Sequence, residues 1–329
     1  MKLAKRGLVF ILVAGLLLFG LAGCGGGNTS GDVTPDQSQP IKLGMLPITD
    51  NLPFWVAQDK GYFEDEGLTV ELVDFPSALE RDSALTAKAI DGALGDIIAV
   101  AQLNDGGTPL TIVSIGQGVT AKEGRFAILA APGSDITSVE QLKGVEIATS
   151  ANSVMEYLID TVLTDAGFTG DEIAKVLIPK IPVRVDALLS GTVQAAILPD
   201  PLAALAELKG ARVILEDTAT DNLSQTVIYF RNETLEQKTD EVRGLMRAYT
   251  RAVEDIMADP TAFHVTLAEK ARIPQDVLQS DAHGMEIIFS APVAPTEDMV
   301  DRVLTWMNGK GLLNKPVSYS DLVNEQVLN

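Results

Sequence analysis

Cysteine and histidine, the residues that most metal sites and nucleophilic enzymes require, are nearly absent from this sequence. Among 329 residues there is one cysteine, Cys24, and there are two histidines, His264 and His283. A single cysteine excludes an intramolecular disulfide, a cysteine metal cluster and a cysteine nucleophile later in the chain. The two histidines lie in a predicted helical region and show no catalytic pairing, so we expect no metal site, no cofactor and no catalytic residue.

Aromatic and basic residues are also scarce. Phe, Trp and Tyr make up 5% of the chain, which argues against a broad aromatic platform for sugars. Lysine and arginine together number 25 against 45 acidic residues, so the formal net charge is −20. An acidic surface repels nucleic acid and anionic lipid head groups. We therefore expect no nucleic-acid partner and interpret the charge as favouring solubility.

The N-terminus has the pattern of a secretory signal peptide. Three basic residues within the first six positions precede an apolar run over residues 7–20, which is shorter than the ~20 residues that a transmembrane helix needs. Small residues then lead to Cys24, an arrangement that resembles the bacterial lipoprotein signal. We predict a signal peptide over residues 1–23 and lipidation of Cys24. An uncleaved membrane anchor is the alternative.

The segment after the predicted cleavage site has the composition of a flexible tether. Residues 24–40 are dominated by Gly, Ser, Asn, Pro and Asp and contain almost no apolar side chains. Such a segment cannot bury enough surface to fold. A tether behind a lipidated cysteine would hold a folded body away from a membrane.

The remaining residues, 41–329, are numerous enough for two domains. Strand-like and helix-like segments alternate through most of this region, which predicts parallel sheets with right-handed crossovers. The C-terminal part has one predicted strand, Thr226–Phe230, followed by helices, so we expect it to return to the first sheet. We predict an α/β protein of two lobes with these boundaries: lobe 1, residues 41–130 plus 218–329; lobe 2, residues 131–217.

Three segments carry a family resemblance. They are LPFWVAQDKGYFEDEGL at residues 52–68, AIDGALGD at residues 89–96, and LLSGTVQAAILPDP at residues 188–201. Together they resemble the nitrate/sulfonate/thiamine-precursor branch, the pyrimidine synthase-like branch, of the periplasmic-type solute-binding proteins of ABC transporters. The resemblance covers essentially all of residues 41–315.

This resemblance implies a two-lobe periplasmic-binding-protein fold of the type II-like kind, with two crossover strands at the hinge. Together with the predicted lipidation of Cys24, it predicts an extracytoplasmic protein, which we expect to be a monomer, anchored to the cell membrane by its lipid. Such a protein binds a small-molecule ligand in the cleft and hands it to an ABC permease and ATPase. Pyrimidine thiamine precursors and sulfonates are the candidate ligands.

Candidate ligand contacts follow from the fold alone, because open α/β sheets bind ligands beyond the carboxyl ends of their strands. The residues that directly follow predicted strands, or lie at the return into lobe 1, are these: Thr49, Asp50, Asn51, Phe54, Ser77, Asp96 and Gln117 in lobe 1; Ser150, Asn152, Ser153 and Asp200 in lobe 2; and Gln225 at the return.

These candidates have alternative interpretations. The helix start at Ser150 and Asn152 predicts either an anion site or ordinary N-capping. Asp50, Asp96 and Asp200 would each accept an amino or ring N–H group of a ligand, or cap a following helix. The scarcity of Lys and Arg at the predicted strand ends argues against a simple oxyanion such as nitrate.

Two other functions share part of this pattern. Enzymes on the same fold resemble pyrimidine synthases, which rely on a histidine and a cysteine-rich motif, or menaquinone-pathway enzymes of the cytoplasm. This sequence lacks the cysteines that catalysis of the pyrimidine synthase type would need. The predicted signal peptide contradicts the cytoplasmic location of the menaquinone-pathway enzymes. A lipoprotein that senses a ligand for a signalling receptor would share every feature described above and remains the main alternative.

Overall fold

Two five-stranded sheets form the framework of the computed structural model, which describes residues 39–219 and 223–328. The predicted signal peptide, Cys24 and nearly all of the predicted tether lie outside these residues. The strands are β1 Ile41–Met45, β2 Val70–Asp74, β3 Gly92–Asp96, β4 Leu110–Gln117, β5 Phe126–Ala130, β6 Ile147–Thr149, β7 Lys175–Leu177, β8 Ala195–Pro199, β9 Arg212–Glu216 and β10 Thr226–Arg231.

The two sheets share one topology. The first has the order β2-β1-β3-β10-β4 and the second the order β7-β6-β8-β5-β9. In each sheet one strand is antiparallel to its neighbours: β10 pairs antiparallel with β3 and β4, and β5 pairs antiparallel with β8 and β9. Each of these is the strand by which the chain enters that sheet from the other one. The predicted return of the C-terminal strand to the first sheet is confirmed.

Helices cover both sheets. They are α1 Leu52–Asp59, α2 Tyr62–Asp65, α3 Ala78–Thr86, α4 Ile97–Asp105, α5 Val154–Asp165, α6 Ile181–Leu189, α7 Leu202–Leu208, α8 Asn232–Gln237, α9 Thr239–Ala258, α10 His264–Ala271, α11 Gln275–Leu278, α12 Glu297–Gly309 and α13 Tyr319–Leu322. Among the described residues, no helix combines the length and the apolarity that crossing a membrane requires.

The C-terminal helices belong to lobe 1. The long amphipathic helix α9 packs against α1 and α2, and α12 packs against α4. Apolar side chains along one face of α9 are buried, as expected for a helix that lies on a sheet-and-helix core. Lobe 1 is therefore the first sheet with α1–α4 and α8–α13, and lobe 2 is the second sheet with α5–α7.

The predicted boundary at residue 130 is displaced. Lobe 1 was expected to include Phe126–Ala130, but this strand, β5, pairs with β8 and β9 of the second sheet. The first crossover is thus residues 118–125, whereas the second lies near Asp217 as predicted. All five residues of β5 are buried, so its sequence has no polar face to indicate which sheet it joins.

The two crossovers lie side by side. The carboxylate of Asp217 accepts the Phe126 N–H at 2.8 Å, and the Ser224 hydroxyl donates to the same carboxylate. Burial raises the pKa of Asp217 to about 7. Gly118 has φ +95°, and a Cβ there would come within 3.0 Å of Gln225 Cα. The close approach of the crossovers therefore requires glycine at position 118.

Candidate functional site

The loops that follow the strands of the two lobes meet at the interlobe face. The backbone N–H of Thr49, after β1 in lobe 1, donates to the carbonyl oxygen of Asp200, after β8 in lobe 2, at 3.0 Å. A second predicted residue, Asp50, accepts a hydrogen bond from Thr226 Oγ1 at 2.8 Å. The carboxyl ends of the strands therefore come together between the lobes, where the sequence predicted the site.

Asp96 bonds to both lobes at once. Its Oδ1 accepts the Ala99 N–H at 2.8 Å and caps α4, while its Oδ2 accepts the Val154 N–H at 3.2 Å at the start of α5 in lobe 2. Burial raises the pKa of this carboxyl group against the opposing effects of Arg81 and these hydrogen bonds. The start of α5, where the sequence predicted either an anion site or N-capping, thus already donates a backbone N–H to a carboxyl group of the protein itself.

Asp200 is neutralised by a buried arginine. Arg125 Nε and Nη2 lie 2.9 and 3.1 Å from the two carboxylate oxygens of Asp200, and the same guanidinium contacts Glu207 at 2.6 Å and Glu216 at 3.1 Å. Asp200 Oδ1 also accepts the Ala204 N–H in the first turn of α7. Through Arg125, the Asp200 side chain attaches the first crossover to lobe 2. The position of Asp200 after a strand did not reveal this role.

In the part of the chain that the structure describes, Asp50 differs from Asp200 in that it has no arginine beside it. It is buried, and no arginine or lysine among the described residues forms an ion pair with it. Burial raises the pKa of Asp50 to about 6, with Thr226 opposing the shift and the charge of Asp200 adding to it. Two buried oxygens in the same loop, Thr49 Oγ1 and Asn51 Oδ1, have no hydrogen-bond partner in the described structure. Lobe 1 thus contributes acceptors to this face.

Several predicted contacts have structural partners instead. Phe54 is fully buried, with its ring centroid 4.8 Å from that of Tyr249, so it packs in the core rather than presenting an open ring to a ligand. Ser77 caps α3 by accepting the Glu80 N–H. Gln117 Nε2 donates to the Ile288 carbonyl, which ties β4 to the C-terminal segment.

The loop between β6 and α5 contains the predicted residues of lobe 2. Ser153 Oγ donates to the Ser150 carbonyl, and Ser150 Oγ accepts from Arg184. Asn152 is exposed with φ +50°, and Ser153, the N-cap residue of α5, makes no side-chain capping bond. Gln225 is buried at the second crossover. N-capping by Ser150 or Asn152, the alternative to an anion site, is therefore wrong because Ser153 is the N-cap residue, and the backbone conformation explains why Asn is suited to position 152.

Arg184 is a buried cation that sequence reasoning left unplaced. It is fully buried behind the β6–α5 loop and donates to the carbonyls of Ile178 and Ile197 at 2.9 and 3.0 Å. No carboxylate among the described residues pairs with it, and burial lowers its pKa. It therefore places positive charge behind Ser150 without reaching the surface. An arginine in the first turn of a helix is usually exposed, so the sequence gave no sign that Arg184 is buried.

A further interlobe contact joins α12 of lobe 1 to α5 of lobe 2. Lys310, at the end of α12 in lobe 1, contacts Glu156 at 2.7 Å and Asp160 at 2.8 Å on α5 of lobe 2. Trp306 Nε1 donates to Asp160 at 3.2 Å. We call these four residues the α5–α12 latch. Burial lowers the pKa of Lys310, but hydrogen bonds from its ammonium group to Asp160 and Glu156 outweigh this effect and raise the pKa overall.

The latch also reaches the cleft. Glu156 Oε2 accepts the backbone N–H of Asn152 at 2.6 Å, while its Oε1 is shared by Lys310 and Lys175. The β6–α5 loop is thus connected to a lysine of the opposite lobe through one carboxylate. On the other flank, Lys180 pairs with Glu80 at 3.1 Å across the lobes.

A cavity of about 330 Å³ opens between the lobes, and its lining includes neither Thr49 nor Asp200. Lobe 1 lines it with Pro47, Phe75 and Pro76, which follow β1 and β2, and with the end of α10. Lobe 2 lines it with side chains of α6 and α7. Its volume is within the range of small-molecule sites.

The two sheets and the two crossovers between them form the fold of the periplasmic-type binding proteins. Residues 48–263 match the family described as NMT1/THI5 like, so the chain belongs to that family. A putative aliphatic sulfonates-binding protein of Bacillus subtilis is 28% identical over 254 residues, which span 76% of this chain and 73% of that protein.

Solved structures share the fold. The alkanesulfonate-binding protein SsuA of Xanthomonas axonopodis pv. citri, bound to MOPS, superposes with a TM-score of 0.73 at 20% identity over 87% of this chain and 98% of its own. The nitrate-binding protein NrtA of Synechocystis PCC 6803 gives 0.72 at 18% identity, covering 88% and 86%. The desulfurization enzyme DszB gives 0.62 at 14% identity, covering 88% and 98%.

Proposed function

We propose that this chain is an extracytoplasmic lipoprotein that binds a small organic solute between its lobes and delivers it to an ABC importer. The observation that carries the proposal is the interlobe face, where strand-end loops of both lobes meet around buried polar groups and an open cavity. A solute held there would contact both lobes, so its binding would favour the closed arrangement.

The location rests on the N-terminal sequence. The predicted signal peptide and Cys24 give a lipid anchor, and residues 24–40 give a tether that lets a monomeric body meet a permease. A ligand sensor for a signalling receptor is the second candidate, because it would need the same anchor and cleft.

Binding rather than catalysis is favoured by the small number of histidines and cysteines and by where the histidines lie. His264 begins α10, and His283 lies between α11 and α12, where its Nε2 contacts the Val277 carbonyl at 2.7 Å. No cysteine follows Cys24. The likeness to DszB is one of fold, and the related family members are named as binding proteins.

Ligand identification tests the function. The mature protein, purified from cells, is denatured, and the released solute is identified by mass spectrometry. A thermal-shift panel of alkanesulfonates, nitrate and aminopyrimidines follows. A ligand present at 100-fold its Kd stabilises the protein by about 2.7 kcal/mol. Scattering with the confirmed ligand should give a smaller radius of gyration. A protein that releases no solute and gains no stability from any panel member would contradict the proposal.

A further inference from the structure

A long segment without regular secondary structure passes the hinge that the two crossovers form. Residues 279–296 connect α11 to α12 and form neither a helix nor a strand. Loops longer than about 12–15 residues are uncommon in compact domains and are usually either functional or linkers. Two apolar side chains of this segment, Ile287 and Phe289, are buried, so it is packed against the protein and is not a linker. We call residues 279–296 the strap.

The second half of the strap is held by lobe 1. The Ile115 N–H donates to the Val293 carbonyl at 2.7 Å, and Gln117 Nε2 donates to the Ile288 carbonyl at 2.8 Å. Both donors belong to β4, which lies at one edge of the first sheet. Because these bonds run along a strand of the sheet, this half of the strap moves together with lobe 1.

A buried carboxylate joins the strap to the first crossover. Glu123 lies in that crossover, residues 118–125, and is 1% exposed. Its Oε2 accepts the backbone N–H groups of Gly118 and Val119 at 3.2 and 3.1 Å, which stabilises the bend of the crossover. Its Oε1 accepts the Ser290 hydroxyl of the strap at 2.6 Å. A rotation of the lobes about the crossovers must therefore move Glu123 relative to the strap.

The first half of the strap contacts lobe 2. A Cβ at Gly284 would lie 2.5 Å from Arg125 Nη1 and 3.5 Å from Glu216 Oε2, so this close approach requires glycine. Arg125 cannot move aside easily, because its guanidinium is buried and paired with Asp200 and two further carboxylates of lobe 2. The helix before the strap, α11, also packs against α7 of lobe 2. The strap therefore bridges the lobes beside the two crossovers.

We propose that the strap is a third connection between the lobes, made by noncovalent contacts, and that it limits how far the lobes open. Its bonds to β4 hold one end, its contact with Arg125 holds the other, and the Ser290–Glu123 hydrogen bond joins it to the crossover. Loss of either contact should favour the open arrangement. Ser290 and Gly284 are positioning residues, because they act on the cleft through the hinge. The inference goes beyond the proposed function, since it holds for any solute and for a sensor as well as for an importer subunit.

Spin-label distances between Asp240→Cys in lobe 1 and Leu177→Cys in lobe 2, in a Cys24→Ser background, test the role of the strap. Ser290→Ala removes one donor from Glu123 but leaves its two backbone donors, so the buried carboxylate is not stranded. A hydrogen bond to a charged group contributes a factor of about ten or more to an equilibrium. The ratio of open to closed protein should therefore rise about tenfold, which lengthens and broadens the interlobe distances.

Gly284→Ala tests the contact with lobe 2 separately, in case Ser290→Ala does not fold. The added Cβ should displace the strap from Arg125 and change the distances in the same direction. The matched controls are Ser83→Ala, which removes an exposed hydroxyl on α3, and Gly170→Ala, where a Cβ meets nothing within 4 Å. Both should keep the parental distances, and a urea melt shows which variants are folded. Parental distances in a folded Ser290→Ala or Gly284→Ala protein, or an equal shift in a control, would overturn the inference.

Discussion

Breaking the α5–α12 latch should open the protein. In Lys310→Met the ammonium group that bridges the lobes is lost, while Lys175 still neutralises Glu156 and Asp160 at 2.9 and 2.6 Å. No buried charge is stranded, so the cost falls on the interlobe contact alone. The Lys310 side chain is 30% exposed and those of its partners are 10% and 20% exposed.

The expected magnitude follows from this partial burial. An exposed ion pair contributes about 0.2–1 kcal/mol, and a hydrogen bond to a charged group about 1.5–3 kcal/mol. We therefore expect the closed arrangement to lose roughly 1–2 kcal/mol relative to the open one, a factor of about 5–30 in the equilibrium. Because only the closed arrangement contacts a ligand with both lobes, apparent affinity should fall by at most the same factor.

Spin-label distances measure the opening without knowledge of the ligand. In a Cys24→Ser background the chain has no other thiol, so Asp240→Cys in lobe 1 and Leu177→Cys in lobe 2 can be labelled specifically. Lys310→Met should broaden and shift the interlobe distances, and added salt should do the same in the parent protein. Lys143→Met, which breaks a pair with Glu172 inside lobe 2, is the control. Unchanged distances in Lys310→Met would refute the reasoning.

Four further changes have defined outcomes. Asp50→Asn should stabilise the protein at pH 7 by up to ~3 kcal/mol but should not stabilise it at pH 4. Because the pKa of Asp50 in the folded state is raised to about 6, ionisation of this carboxyl group lowers the free energy of unfolding as the pH rises from about 4 to 6. Urea melts at both pH values measure this difference. Arg125→Met should cost about 3–5 kcal/mol in the same assay, because it strands buried carboxylates. Asn152→Ala should cost about 1 kcal/mol through its left-handed backbone, whereas Asn152→Gly should not. Cys24→Ser should release the protein from membranes or leave an unprocessed precursor, as judged by fractionation and mass spectrometry.

Each of these has a control, a contradicting result or both. Asp171→Asn, at an exposed position, should show no pH-dependent gain, and an equal gain would exclude Asp50 as the source. Arg247→Met removes an exposed pair with Glu66 and should cost below about 1 kcal/mol. Equal losses in the Ala and Gly variants at position 152 would rule out the backbone explanation. A wild-type protein that is soluble and unlipidated would disprove the anchor.

The fold was largely predictable because its signals are local. Strands, helix caps and turn glycines recur along the chain at spacings that require no knowledge of the partner strands, and the β10 return follows from the lack of other strands nearby. The assignment of β5 failed because a strand buried on both faces looks the same in either sheet. The strand–helix alternation predicted the two lobes, and the family segments added the expectation that a ligand is held in the cleft between them.

The site was predictable only as a region. Strand ends located Asp50, Asp96 and Asp200 correctly at the interlobe face, but their partners depend on contacts across the lobes. Asp96 and Val154 are 58 positions apart, and Lys310 and Glu156 are 154 apart. Sequence spacing cannot reveal such pairs, and it cannot tell which ring, Phe54 or Phe75, remains open after folding.

The connectivity has a consequence for how this protein could change. Lobe 2 is one unbroken stretch between two adjacent crossovers, whereas lobe 1 is assembled from the segments on either side of it. In genetic terms lobe 2 is an insertion, with its entry and exit held together by the Asp217–Phe126 contact. A single recombination event at these two points could exchange half of the cleft and leave the other half intact. New ligand preferences could then arise by replacing α6 and α7 as a block, without redesign of the remaining chain.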